Sequence, residues 1–268
     1  MTKISILIKG AGEVATAIAH KLSTSGFNIL ITELETPLAI HRGTSFSEAV
    51  WEKEKEVEGV IAKFVDSVKN IKDVWYENKV PLMIDPTLGK ALSFMKPDVL
   101  IDATMVKRNP ETRLDYAPLV IGVGPGFEVG VHANLVVETN NFDQIGKVIT
   151  SGTALPDTGI PLEIGGHTFK RVLRNSVGGN FEIIKDMGSL VKKEDIVAKV
   201  NGELLKAQID GCVRAILRSG IFVKPGTKLC EIDPRSDTEL YKIIRARMRT
   251  IAGGVLEAVM YWHNKRRK

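Results

Sequence analysis

Apolar positions open the chain at Ile4, Ile6, Leu7 and Ile8, give way to Gly10-Ala11-Gly12-Glu13, and resume at Val14, Ala17, Ile18 and Leu22. The first group predicts a short buried strand. The second repeats at three and four residues, which predicts a helix with one apolar face. This alternation continues. "FNILITEL" predicts a strand ending at Glu33, "TSFSEAVWEKEKE" a helix capped by Ser45 or Ser47, and "VEGVIAKFV" a strand. "DSVKNIKDVWYEN" and "TLGKALSFMK" have helical spacing, while "VPLMID", "PDVLIDATM" and "LVIGVGPGF" are short apolar runs that predict buried strands. Strands and helices in alternation predict an α/β fold, a Rossmann-like doubly wound parallel sheet, over residues 1–150.

The texture changes at Ser151. Residues 151–180 are rich in Gly, Pro and Thr and carry little periodicity, which predicts a connecting segment. Residues 181–235 then repeat themselves. Laid over one another at an offset of 32, "FEIIKDMGSLVKKEDIVAKV" and "VRAILRSGIFVKPGTKLCEI" match Gly188 with Gly220, Val191 with Val223, Lys192 with Lys224 and Leu190 with Phe222. Neither half buries its apolar face alone, so the two are expected to interlock. The pattern resembles the small β barrel-sandwich of biotinyl and lipoyl carriers. Asn201-Gly202 is the expected hairpin tip. The nearest lysine, Lys206, lies in the following strand, so a swinging arm is not expected. Residues 236–268 predict a C-terminal helix whose middle holds Gly253-Gly254. Two such glycines cost a helix about 1 kcal/mol each against Ala, which calls for a close neighbour there.

Composition adds little and excludes some classes. The 268 residues are 44% hydrophobic and 26% charged, ordinary for a globular protein. Net charge is +5, part of it in the terminal "HNKRRK", and no basic stripe interleaved with aromatics suggests nucleic acid. Cys212 and Cys230 belong to no C-x-x-C pair and are expected as core thiols. Neither a signal peptide nor an apolar run of ~20 residues is expected, and the default location is the cytoplasm.

Candidate chemistry gathers at the carboxyl ends of the expected strands. Gly10-Ala11-Gly12-Glu13-Val14-Ala15 fits G-x-G-x-x-G/A between strand and helix, where Gly12 lets a pyrophosphate approach and the helix amino end offers free N–H groups. Glu33 follows Gly10 by 23 residues, near the spacing of an acid that bonds a ribose hydroxyl. An acid there favours NAD over NADP. Thr104 and the second glycine-rich loop, Gly122 with Gly124, Pro125 and Gly126, join the same expected crevice, as do the acids Asp85, Asp102 and Glu138. Arg42 is a candidate partner for a phosphate. Catalytic residues are not identifiable: the five histidines are scattered, and neither a metal site nor a nucleophile motif stands out.

Several of these segments together resemble the YqeB-type family: "KGAGEVATAIAHKL", "TELETPLAIHRGTSFSEAV", "GVGPGFEVGVHANLVVET", "GTALPDTGIP", "IDGCVRAILRSG" and "IAGGVLEAV". That family is linked to selenium-dependent molybdenum hydroxylases, and the first and last segments are also similar to xanthine dehydrogenase accessory proteins. The resemblance implies an accessory role in molybdenum hydroxylase maturation. It implies a nucleotide, NAD or the molybdenum cofactor as ligand, and a hydroxylase or cofactor-biosynthesis enzyme as partner. It allows a homo-oligomer. Gly10, Gly12, Glu33, Arg42, Gly124, Pro125 and Gly126 carry over as ligand-binding positions only. Two other classes fit the opening motif: an NAD-dependent oxidoreductase, and a nucleotide-sensing regulator.

Overall fold

The computed structural model describes residues 4–108, 111–140 and 143–266. The chain forms two compact units. One comprises Met1–Pro37, Ser45–Asp157 and Ile244–Lys268; the other comprises Leu38–Thr44 and Thr158–Ile243.

In the first unit the chain runs β1 (Ser5–Lys9), α1 (Glu13–Thr24), β2 (Asn28–Glu33), α2 (Ala49–Glu52), β3 (Glu54–Val57), β4 (Val60–Phe64), α3 (Ile71–Tyr76), β5 (Val80–Ile84), α4 (Gly89–Phe94), β6 (Val99–Asp102), β7 (Leu119–Val123), β8 (Leu135–Val137) and β9 (Val148–Ile149). The long C-terminal helix α5 (Ala246–Arg266) returns to the same unit. These strands make one nine-stranded sheet in the order β3-β4-β5-β2-β1-β6-β7-β8-β9. Alternation along each strand sets the two cores. Ile6, Ile8, Ile29 and Ile31 face α1 and α5, whose Ala15, Ile18, Leu22, Ile251 and Val255 are fully buried with them. Leu7, Leu30, Leu100 and Val120 point the other way and pack with Ile71, Val74 and Ala91 of α3 and α4. Each fully buried Ile or Leu contributes about 1.5–3 kcal/mol by leaving water.

The expected fold class is corrected here. The sheet is mixed: β3 runs antiparallel to β4, and β9 antiparallel to β8. The first departure has a local cause. Lys53, at φ 70, ends α2 after four residues. Glu58 and Gly59, at φ 48 and 83, then form a two-residue turn with positive φ at both positions, the hairpin geometry. "EKEVEGVIAKF" therefore folds back with Val57 opposite Val60, where a helix was expected over the charged "WEKEKE".

Nor is the second unit a plain barrel-sandwich of two hairpins. It contains β10 (Val172–Arg174), β11 (Gly179–Ile183), β12 (Leu190–Val191), β13 (Ile196–Val200), β14 (Glu203–Lys206), β15 (Gly211–Ile216), β16 (Phe222–Val223) and β17 (Lys228–Asp233). They form two four-stranded antiparallel sheets, β10-β17-β15-β12 and β14-β13-β11-β16. The 32-residue offset carries β11, β12 and β13 onto β15, β16 and β17. The copies exchange strands, β12 pairing with β15 and β16 with β11. A Cβ on Gly179 would meet Asn201 at 2.5 Å, and one on its equivalent Gly211 would meet Asp233, equivalent to Asn201, at 2.4 Å. Edge strands β10 and β14 stand outside the repeat, and Ile216 N–H donates to Ile40 O of the 38–44 segment at 2.9 Å. Asn201-Gly202 turns β13 into β14, with Val200 opposite Glu203, and Lys206 ends β14 paired with Glu194.

Candidate functional site

The carboxyl end of β1 runs directly into the amino end of α1, and the glycines of this loop differ in what they face. Gly10 has φ +98, and a Cβ there would press on the Ala103 carbonyl at 3.3 Å. Its N–H donates to Thr32 O at 2.8 Å, which ties the loop to β2. Ala11 is buried; its carbonyl accepts from Thr16 Oγ1 at 3.1 Å and from Ser47 N–H at 3.0 Å. Gly12 is the N-cap of α1, with φ −68 and ψ −175, values any residue adopts, and it lends the helix no side-chain cap. A Cβ on Gly12 would meet nothing within 4 Å.

Glu33, at the end of β2, closes the loop from the side. One carboxylate oxygen accepts from Ala11 N–H at 2.8 Å and the other from Leu34 N–H at 2.7 Å. Burial pushes its pKa up, and those two N–H groups only partly offset that. Glu13, the first residue of α1, pairs with Arg245 Nε at 2.9 Å. Val14 packs against the apolar cluster behind it.

The second glycine-rich loop is a packed turn. A Cβ on Gly122 would sit 2.2 Å from the buried ring of Phe127. Gly124, at φ +86, has Thr139 Oγ1 2.8 Å from its would-be Cβ, and Gly126, at φ +100, has the Arg108 backbone at 3.1 Å; half-buried Pro125 sits between them. Thr104 is turned to Asp102, donating through its N–H at 3.1 Å and its hydroxyl at 2.6 Å. The strand-end acids serve the backbone, local hydroxyls and, for Asp102, the Lys9 ammonium at 3.5 Å. Asp85 accepts from Ala91 N–H in α4, Asp102 also accepts from Thr112, and Glu138 accepts from the N–H groups of Thr139, Asn140 and Leu155. Arg42 belongs to the second unit. Its Nε donates to Ile216 O at 2.8 Å and its Nη2 pairs with Asp186.

Two residues of this neighbourhood escaped the motif reading. Arg245 and Arg247 lie at the amino end of α5, more than 230 positions beyond the loop. Arg247 is half-buried; its Nη2 donates to Thr139 O, and its Nε is buried without a hydrogen-bond partner. The only linear trace is the triplet Arg-Ala-Arg at the start of the terminal helical pattern.

Comparison with known proteins gives a sequence relative. The chain is 38% identical over 255 residues to "Uncharacterized protein YqeB" of Escherichia coli K12, covering 95% of this chain and 47% of that protein. This chain therefore spans about half the length of that relative. No family model matches. Among solved structures, the ectoine utilization protein EutE (DoeB) of Ruegeria pomeroyi is 12% identical with a TM-score of 0.26, over 86% of this chain and 85% of that one. An aspartoacylase family protein of Mesorhizobium loti is likewise 12% identical over 86% and 85%, with a TM-score of 0.27. No helix among the described residues is long and apolar enough to cross a membrane.

Proposed function

We propose that this chain binds the phosphate-bearing end of a nucleotide or molybdopterin-type cofactor at the Gly10–Val14 loop, and that it serves molybdenum hydroxylase maturation as a binding and presenting protein. Gly12 carries the first part. Its backbone angles do not require glycine, and no neighbour forbids a side chain. Glycine is also a weaker N-cap than Ser or Asp, so the helix gains little from it. What the residue does provide is clear approach to the amino end of a 12-residue helix, where phosphate is stabilised by N–H groups and dipole. Glu33 suits a ribose hydroxyl once a ligand displaces its bond to Ala11. The maturation role rests on the family resemblance.

Calorimetry with NAD, NADP, CDP and ATP tests the first part. One of them is expected to bind, and Gly12→Val is expected to abolish that binding without unfolding the protein. If none binds the native chain, the loop is not a nucleotide site. The second part is tested by deleting the gene in a host that makes such a hydroxylase and assaying the purified enzyme for metal and pterin. A fully loaded, active hydroxylase from the deletion strain would refute the role.

A further inference from the structure

Arg247 lies two residues beyond the Arg245 that pairs with Glu13, and its buried Nε has no hydrogen-bond partner. Among the described residues no carboxylate reaches it at ion-pair distance. Its neighbour Arg245 holds Glu13, and Glu138 spends its oxygens on three backbone N–H groups. Asp157 is paired with Lys107. What Arg247 does hold is neutral, the Thr139 carbonyl. Burial lowers its pKa; the charge of Glu13 works against that and the like charge of Arg245 adds to it, so all three groups share one field. Leaving a guanidinium half-desolvated beside another cation is costly unless an anion completes the site.

The helices sharpen this. Glu13 is the first residue of α1, and Arg245 immediately precedes α5; their ion pair brings the two amino ends together. Each end carries about half a positive charge. With Arg245 and Glu13 cancelling, Arg247 and the two helix ends leave a surplus of about two charges, and Glu33 returns at most one. Beside this surplus lies the open face of Gly12.

We infer that Arg247 receives the anionic end of the ligand, a phosphate monoester or diphosphate group, lying between the amino ends of α1 and α5. This assignment rests on the reading of the glycine loop given above. It makes the last helix of the chain part of the binding site, as a clamp on the charge that the loop cradles from the other side. The planar guanidinium offers paired donors to two phosphate oxygens, geometry that a lysine does not reproduce.

Inorganic pyrophosphate and ADP separate this inference from the reading it rests on. Pyrophosphate is expected to raise the unfolding midpoint of the native protein saturably. Arg247→Gln should raise its apparent Kd at least 10-fold, and Arg247→Lys should recover only part of the loss. A second measurement needs no variant: phenylglyoxal labelling of the native protein, mapped by peptide mass. Saturating pyrophosphate should protect Arg247 and leave Arg249, which pairs with Glu58, labelled as before. The inference is overturned if pyrophosphate has no effect on the native protein, if Arg247→Gln binds it equally well, or if Arg247 labels at the same rate with and without it. ADP that binds native protein and Arg247→Gln alike would leave the glycine-loop reading standing and remove Arg247 from it. Pyrophosphate bound through Arg247 with ADP and NAD excluded would do the reverse.

Discussion

Two neighbourhoods of this protein combine an arginine withdrawn from solvent with a glycine, and they differ in how much of each the chain itself explains. In the β15–β17 region of the second unit, Arg214 donates to Asp233 at 2.8 Å, and Arg235 completes the carboxylate from the other side at 2.6 and 2.9 Å. Gly211 stands where a Cβ would strike the Asp233 carbonyl. Both residue types have a reason inside the fold. At the amino ends of α1 and α5, the buried Nε of Arg247 has no hydrogen-bond partner among the described residues, and a Cβ on Gly12 would meet nothing within 4 Å. A glycine or an arginine is therefore a poor sign of function by type, and a good one when its surroundings leave it unexplained.

The matched neighbourhood makes the largest prediction. Burial alone would raise the pKa of Asp233, but hydrogen bonds from Arg235 and Arg214 outweigh it and hold the carboxyl well below the usual range. A carboxylate so depressed adds stability above its unfolded pKa, near 3.8, and loses it as pH falls below that value. Asp233→Asn is expected to cost about 3 kcal/mol at pH 7, since Arg214 is left buried without its charge partner. Urea unfolding should show the gap between native and variant narrowing below pH 4. A gap of the same size at pH 7 and pH 3 would mean that this triad is not the electrostatic element it resembles.

Next in size is a pair of adjacent glycines in α5. Gly254 packs on Gly146, whose carbonyl oxygen would lie 1.9 Å from a Cβ, while Gly253 faces nothing within 4 Å. Gly254→Ala is expected to lose about 1–3 kcal/mol because backbone must move. Gly253→Ala should gain about 0.5–1 kcal/mol from helix propensity. Opposite signs at neighbouring positions are the test; a loss at both would place an unseen neighbour over Gly253.

Much of the first unit was legible because local chemistry and tertiary need agree there. Ile6, Ile8, Ile18 and Leu22 carry their periodicities into the core unchanged. The 32-residue repeat was legible for the same reason: Gly188 and Gly220, at φ 85 and 86, occupy the same turn in both copies. The hairpin at Glu58-Gly59 was lost because its first arm, "EKEKE", spaces charges as a helix does, and sheet pairing overrode that propensity; its second arm, β4, falls within the strand expected over "VEGVIAKFV". The exchange of strands between repeat copies leaves no linear trace, since β12 and β16 are two residues each and find their partners only in space. The site divides likewise. Gly10, Gly12 and Glu33 were visible as a spaced motif. Arg247 was not, because only the folded chain brings the start of α5, through the Arg245–Glu13 pair, to the amino end of α1.

The smallest expected change in stability is the most informative for the open neighbourhood. Gly12→Ser adds a side-chain oxygen at the N-cap of α1, where serine ranks above glycine, in backbone angles that serine adopts freely. Nothing lies within 4 Å of the added Cβ, so no packing is lost. The variant should unfold within about 0.5 kcal/mol of the native chain, on the favourable side. If the loop is kept open for a phosphate, the same hydroxymethyl group occupies the approach and competes for the N–H groups the ligand needs, so nucleotide affinity should fall 10-fold or more. Calorimetry beside urea unfolding reads both quantities from one preparation. A variant that gains stability and binds as well as the native protein would show that the open face of Gly12 is not a ligand's approach, and the neighbourhood of Arg247 would need another explanation for its charge.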